Sequence, residues 1–522
     1  MTGRVPVTFV PAGSTVWVER GTTVLEASRR AGLMIPAPCG GRGVCGSCGV
    51  RVISGHLSEP DQQERAGLGK APDGVRLACR ARVDGPCEIR PLLAQPTAPP
   101  SDALGADMPL VAGIDLGTTS VAALLVDAAT GREVARAAVP NRQQSFGADV
   151  LTRLSAALAG SSGQLREAAE ESIVSAITAA AARGQVSAAG IDRLVVAGNS
   201  AMIALLVGAD VTPLATSPFM VPYGGGALPT GSSVRAAIGG IATAVVLPPV
   251  SGFVGGDAIA AVLAAGLSEA DVPMLLVDFG TNAEIVLAGC GPLVVASAAA
   301  GPAFEGAGMS CGGPAAEGAV TNVEIGADAS VQLTALGDGQ PRWFSGSGIV
   351  SAVAQLRRFE HVGADGLLSA QGPLSDRFTV IDGVVAVSLG SPEHCLTISQ
   401  LDVRTLQLAK AAVRAGITLV LESVGVRASD LAAVFVAGAF GAALRAADLV
   451  ELGVVPSDTA DVLQPVGNAA LEGAAIVALD PTLLALAQSL ASHARHLDLA
   501  GDPGFLEALM AATELAPFRI GA

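Results

Sequence analysis

Basic charge is scarce in this chain. Lysine occurs only at Lys70 and Lys410, and 31 basic residues against 47 acidic ones leave a net charge of −16. No broad basic face is available to follow a phosphate backbone, so nucleic acid is not an expected partner. Long apolar runs are missing too. Stretches such as Ala258–Leu267 are too short to span a bilayer, and Pro or polar residues break the longer ones, so no membrane association is expected. Residues 1–10, MTGRVPVTFV, lack the apolar core and cleavage site of a signal peptide, which points to a cytoplasmic protein. Cysteine is not spread as a disulfide framework would be. Five of the eight lie between Cys39 and Cys87, while Cys290, Cys311 and Cys395 are scattered and read as core or cleft residues. In a reducing compartment that clustering favours metal.

What is present is enough for several domains: 522 residues, 50% of them apolar. Residues 1–92 form the first. Val5–Val10 and Thr15–Val18 read as a hairpin and Thr23–Ala31 as a helix, with Thr23 and Glu26 placed for a capping box and Gly32 for a stop. Then Cys39, five residues, Cys45, two residues and Cys48 stand on a Gly-rich loop, and Cys79 follows on a later strand. Three thiolates on one loop and a fourth beyond it suit both irons of a [2Fe-2S] cluster, with Gly40, Gly41, Gly43, Gly46 and Gly49 letting the loop wrap it. The spacing resembles the adrenodoxin-type ferredoxins, which implies a β-grasp fold. Thiolate-bound zinc is the rival, but it usually shows two C-x2-C knuckles and this chain has one. Cys87 competes with Cys79 as fourth ligand and otherwise reads as a buried thiol on the strand Pro86–Leu92.

Residues 93–110 are Pro-rich and read as a linker. The stretch VAGIDLGTTSVAALLV (Val111–Val126) then reads as strand, tight turn, strand. Gly117 lets the backbone turn closely around an anion, the hydroxyls of Thr118 and Thr119 can bond phosphate oxygens, and Asp115 can hold Mg²⁺ through water. A second copy, LLVDFGTNAEIVL (Leu275–Leu287), sets Asp278, Gly280, Thr281 and Asn282 in equivalent places. Each hairpin is followed by a strand, an Ala-Gly turn and a helix: LVVAGNSAM at Leu194–Met202, VFVAGAFGAAL at Val434–Leu444. The repeated order predicts two related lobes, residues 111–250 and 251–522, with a cleft between them and the longer half carrying its extra residues between Gly301 and Leu401. Asp257 is expected near a helix start, where a carboxylate suits the helix dipole or a catalytic role. Glu284, on the returning strand, either orients water or is an exposed strand residue. The Gly-rich stretch Gly301–Val320 is expected to line the cleft, and Gln400–Ile417 to be an amphipathic helix with Arg404, Lys410 and Arg414 on its polar side.

The paired pattern resembles the acetate kinase, sugar kinase, Hsp70 and actin superfamily, whose lobes are RNase H-like. The fold class expected is therefore α/β multidomain: an N-terminal β-grasp [2Fe-2S] ferredoxin plus duplicated RNase H-like ATPase lobes. The resemblance implies ATP and Mg²⁺, with Asp115, Asp278, Glu284 and Asp257 as catalytic candidates. It places Gly117, Thr118, Thr119, Gly198, Asn199, Gly280, Thr281 and Asn282 at the nucleotide, and Gly438 and Gly441 behind the adenosine.

The fusion of these parts resembles the reductive activators of corrinoid-dependent methyltransferase systems. C-x5-C-x2-C, DLGTT, GNSAM, FVGGD, DFGTNAE, GPAFEGA, DVRxxQLAK and AGAFG all stand in order. The resemblance implies ATP-dependent one-electron reduction of Co(II) to Co(I) in a corrinoid protein, an electron donor that is a reductase or ferredoxin, slow ATP hydrolysis and a homodimer. Two departures are visible. Little room is left between linker and first lobe for the separate middle domain of some relatives, and Gly313-Pro314 stand where Met-Arg is expected. The rival functions are a ferredoxin-linked small-molecule kinase and an activator of another low-potential enzyme.

Overall fold

The structure, a computed structural model, describes residues 4–10, 14–31, 33–35, 48–68, 74–91, 95–96, 108–147, 149–229, 231–238, 241–337, 340–391, 396–438 and 444–520. The chain falls into two compact units, residues 1–268 with 469–493 and residues 269–468 with 494–522.

The N-terminal domain is a five-stranded sheet. β1 (Arg4–Phe9) pairs antiparallel with β2 (Ser14–Glu19) and parallel with β5 (Val83–Pro91); β3 (Gly49–Leu57) pairs antiparallel with β5 and with β4 (Val75–Leu77), giving the order β2-β1-β5-β3-β4. β1 alternates along its length, so Val5, Val7 and Phe9 enter the core. Helix α1 (Val24–Arg30) starts where expected, the Glu26 amide donating to Thr23 Oγ1 at 3.1 Å, and it adds Leu25 and Ala27 to that core. This is the β-grasp arrangement.

The second sheet begins with β6 (Leu110–Leu116), β7 (Ser120–Asp127) and β8 (Glu133–Pro140), a meander; β9 (Ile191–Gly198) and β10 (Thr243–Val246) follow in parallel on the other side, giving β8-β7-β6-β9-β10 plus the short edge strand Gly226–Ala227. β6 is apolar on both faces, and such a strand needs cover on both. Leu110, Ala112, Ile114 and Leu116 pack with helix α2 (Ser162–Gly184) through Ile173 and Ile177. The opposite face, from Val111, is covered by helix α4 (Gly256–Ala264) and helix α7 (Ala469–Leu479), with Ile259, Leu471 and Ala475. α7 presses so close that a Cβ on Gly113 would stand 2.5 Å from the Ala475 nitrogen. Arg136 fastens it from the side, meeting Glu472 at 2.7 Å and Glu133 at 2.5 Å. Residues 251–268 and 469–493 therefore belong with the first lobe, where the sequence had placed them in the second.

The second unit repeats the plan. β11 (Met274–Phe279), β12 (Ala283–Ala288) and β13 (Val294–Ala298) form the meander, and β14 (Ala433–Ala437) and β15 (Leu463–Gly467) run parallel to β11, in the order β13-β12-β11-β14-β15. Between β13 and β14 lie the expected extra residues. They fold into two small three-stranded sheets and helix α5 (Gly346–Arg358). Helix α6 (Gln400–Glu422) opens on a capping box formed by Ser399 and Asp402 and runs past its expected end. Lys410 departs from the expected polar side. It is fully buried, its Nζ donating to the Glu514 carbonyl, and burial first, then neighbouring Arg414, pull it down to about 7. Arg414 is half-covered, its guanidinium 3.9 Å from the centre of the Phe518 ring. No helix among the described residues is long and apolar enough to cross a membrane.

Candidate functional site

Cys48 enters β3 directly from the cysteine loop. Its carbonyl accepts from Ala78 at 2.8 Å, and the pairing of Gly49 with Leu77 draws the next turn alongside. Glu64 fixes that turn from the helix Gln62–Leu68, holding Arg76 at 2.8 Å and the Leu77 amide at 2.9 Å. Cys48 Sγ and Cys79 Sγ consequently lie 3.3 Å apart, both buried. Two thiols in contact inside an apolar wall are a donor set that fits an iron-sulfur cluster. Cys39 and Cys45 lie outside the described residues. Cys87 sits on β5, where burial pushes its thiol up to about 11, as a buried free thiol on that strand would be.

In the first lobe, β6 ends at Asp115-Leu116 and the Gly-Thr-Thr turn follows. Asn199 caps helix α3 (Ser200–Val207), accepting from the Met202 amide at 3.0 Å, and its Nδ2 donates to Thr118 Oγ1 at 3.1 Å. A Cβ on Gly198 would meet the Leu116 carbonyl at 2.8 Å, and one on Gly255 would meet the Gly198 carbonyl at 2.4 Å. These close approaches draw the start of α4 to the turn. There Asp257, half-buried, is pushed up to about 7, chiefly by desolvation and next by the charge of Asp115. Asp115 and Asp257 thus form a carboxylate pair in which one member holds its proton near neutrality.

Sequence reading missed the clamp behind this turn. Asn141, fully buried, donates to the Gly117 carbonyl at 2.8 Å, its own amide donates to the Thr119 carbonyl at 3.0 Å, and Gln144 Nε2 reaches that carbonyl at 2.7 Å. The only signal was an Asn directly after the strand β8.

The second turn has its own surround. The Gly280 amide donates to the Asn282 carbonyl at 2.9 Å, and Asp278 stands directly across the ladder from Glu284, which accepts from Ser297 Oγ at 3.4 Å. Thr281 Oγ1 donates to Glu305 at 3.1 Å, so the GPAFEGA motif supplies a carboxylate that sequence reading did not single out. A Cβ on Gly438 would meet the Phe279 carbonyl at 2.3 Å, as one on Gly198 would meet Leu116, so the two lobes match in this detail as well. Gly441 lies outside the described residues. Of the Gly-rich stretch, Ser310 is tied to Asp402 of α6, Oγ to Oδ2 at 2.8 Å. Among the described residues no three His, Cys, Asp or Glu side chains converge as a metal site. Mg²⁺ at a nucleotide commonly takes only one or two carboxylates, with water and phosphate for the rest.

Comparison with known proteins agrees with each part. Residues 8–84 match the 2Fe-2S iron-sulfur cluster binding domain, residues 110–270 the RACo middle region, and residues 272–520 the C-terminal domain of RACo, the ASKHA domain. The corrinoid activation enzyme RamQ of Eubacterium limosum is 31% identical over 415 residues, 76% of this chain and 68% of that protein. The chain belongs to the RACo family, the reductive activators of corrinoid proteins. A further relative is the [Co(II) methylated amine-specific corrinoid protein] reductase of Methanosarcina barkeri, 27% identical over 71% of this chain and 70% of that one. A solved reductive activator for corrinoid, iron-sulfur protein shares the fold over 98% of both chains, with a TM-score of 0.72 at 24% identity. In this RACo-family chain the middle region is present after all. It is residues 110–270, which take in the segment 111–250 read from sequence as the first lobe. The match at residues 8–84 also sets the zinc reading aside.

Proposed function

We propose that this chain carries out ATP-dependent reductive activation of a corrinoid protein, passing one electron to its Co(II) centre and returning it to Co(I). Two relatives carry names of that kind, a corrinoid activation enzyme and a Co(II) corrinoid protein reductase. The observation that carries the reading is the joining, in one chain, of a domain with paired buried thiols to two like lobes, each closing on an Asp-Gly-Thr turn.

Cys39, Cys45, Cys48 and Cys79 hold the [2Fe-2S] cluster, which when bound supplies one-electron carriage near about −400 mV. Reduction of Co(II) lies at still lower potential, and each deficit of about 59 mV costs tenfold in a one-electron equilibrium. ATP binding and hydrolysis offset that deficit by favouring the state of the complex that binds Co(I) more tightly. Gly117 to Thr119 and Gly280 to Asn282 bond phosphate oxygens, Gly198 and Asn199 brace the first turn, and Gly438 and Gly441 back the adenosine. Asp115 and Asp278 hold Mg²⁺ through water, Asp257 takes a proton from the attacking water, and Glu284 helps to orient it. The electron donor is a reductase or ferredoxin, and the working form is a cytoplasmic homodimer.

The test is phosphate release. Slow hydrolysis of ATP should accelerate when the Co(II) form of a corrinoid protein is added. Phosphoryl transfer to a small acid or sugar, with no corrinoid protein present, would contradict the reading.

A further inference from the structure

The ferredoxin domain is charged oppositely to the rest of the chain. Residues 1–92 hold 12 basic and 8 acidic residues, a net of +4; the whole chain holds 31 and 47, so the remainder holds 19 and 39, a net of −20. Part of the domain's positive charge is matched locally: Arg76 with Glu64, Arg80 with Asp61, Arg30 with Glu26 and Arg20 with Asp84. Arg51 and Arg90, like Arg4 and Arg65, have no such partner among the described residues, and they form a facing pair. They stand directly opposite each other on β3 and β5, both exposed, and neither side chain makes an ion pair or hydrogen bond among the described residues. Like charges facing each other across a ladder cost stability, and among the described residues no side-chain contact offsets it. Ile53, two residues along β3 where the pairing with β5 shifts register, is 44% exposed. Arg51 is three residues from Cys48, about 10 Å along the strand at the usual rise per residue.

We infer that the Arg51–Arg90 face is the docking site of an acidic one-electron donor protein, an inference that rests on the electron-carrying role proposed above. Two facing cations with no side-chain partner among the described residues, on a strand that also exposes an aliphatic residue and this near to a cluster ligand, fit a transient charge-guided encounter even with Glu88 two residues from Arg90. The sign division adds direction, because the acidic remainder repels such a donor from everything but the domain that receives its electron. The corrinoid protein, whose reduction is coupled to ATP, must engage that acidic remainder as well, so an acidic surface suits the donor and not the acceptor. In the transfer one electron leaves the donor's reduced flavin or iron-sulfur carrier, which is oxidised by one, and enters the cluster, which is reduced by one. No proton moves and no bond breaks.

The test uses the full chain with its cluster and, as probe, an oxidised flavodoxin of strongly negative net charge, with Kd measured by calorimetry. Binding at ~50 mM salt should weaken at least about tenfold at ~500 mM, where screening is nearly complete over the distances involved. Arg51→Glu with Arg90→Glu should weaken it about tenfold or more at low salt, while Arg51→Lys with Arg90→Lys should preserve it. Arg427→Glu with Arg519→Glu, an equal change of net charge in the second unit, should have no effect. An unchanged visible spectrum of the cluster certifies each variant as folded. The proposal is overturned if the native chain does not bind the probe at low salt, if the charge-reversed face binds as well as the native one, or if the control pair weakens binding equally. It is also overturned if charge reversal spares the flavodoxin and abolishes binding of a corrinoid protein. None of these readouts involves ATP or Co(I), so failure of the proposed activity and failure of this docking site are separable.

Discussion

Cys48 and Cys79 touch at 3.3 Å, while Cys87 is held on β5 with its thiol raised to about 11. Cys48→Ser or Cys79→Ser should therefore abolish the visible absorption of the cluster, and Cys87→Ser should leave it intact; loss of the spectrum in Cys87→Ser alone would reverse the ligand assignment. Asp257 gives the pH dependence. Its carboxyl moves from the ordinary 3.8 to about 7 because burial, and then the charge of Asp115, disfavour ionisation. A base must be deprotonated, so hydrolysis limited by Asp257 should rise with pH up to about 7 and level off above it. The folded chain binds the proton more tightly than the unfolded one, so this group's contribution to stability is present below the unfolded pKa and is lost as pH rises toward 7. Asp257→Asn should remove the acid limb of the profile and lower kcat by roughly 10²–10⁴-fold. A rate profile that keeps its limb in this variant would show that another group is the base. The Asp115 and Asp278 turns were legible in the sequence because Asp-Gly-Thr between two apolar runs is a local pattern. Asn141 and Glu305 were not, because what makes them matter is the turn each reaches, 24 residues away in both cases.

At the scale of elements, strands and their order were readable and helix faces were less so. Two meanders, each followed by a strand, an Ala-Gly turn and a helix, dictate the matching sheet orders, since a both-face-apolar strand must sit centrally. Helix α6 shows the limit. Arg404, Lys410 and Arg414 read as one polar side, yet Gln407 and Lys410 bond the carbonyls of Thr513 and Glu514, and that later segment covers Lys410. Periodicity marks the side that can be polar, but not which distant segment will cover it. Lys410 is lowered to about 7 in the folded chain, against an ordinary 10.5, so the unfolded chain binds its proton more tightly and stability should climb as pH rises from 7 toward 10.5. Lys410→Met removes that penalty at the loss of one hydrogen bond. It should stabilise the second unit by roughly 2–4 kcal/mol at neutral pH and flatten the alkaline rise. Calorimetric scans across that pH range decide it; a lower Tm in Lys410→Met at pH 7 would mean that the Glu514 contact outweighs the cost of burial.

At the scale of the whole molecule, the duplication was legible and the division of the chain was not. α7 returns from the last part of the sequence to cover the first sheet, and only the fit of Gly113 against Ala475 and of Arg136 against Glu472 reveals where residues 469–493 belong. The proposed activity belongs to the whole molecule: an electron held by one domain is to become acceptable to cobalt only when the lobes bind and hydrolyse ATP. The direct measurement is anaerobic. Chain with its cluster reduced is mixed with the Co(II) form of a corrinoid protein, with ATP and Mg²⁺ or with neither, and the Co(I) absorption band is followed. The band should grow with ATP and stay near the baseline without it. Equal growth in both samples would contradict the account.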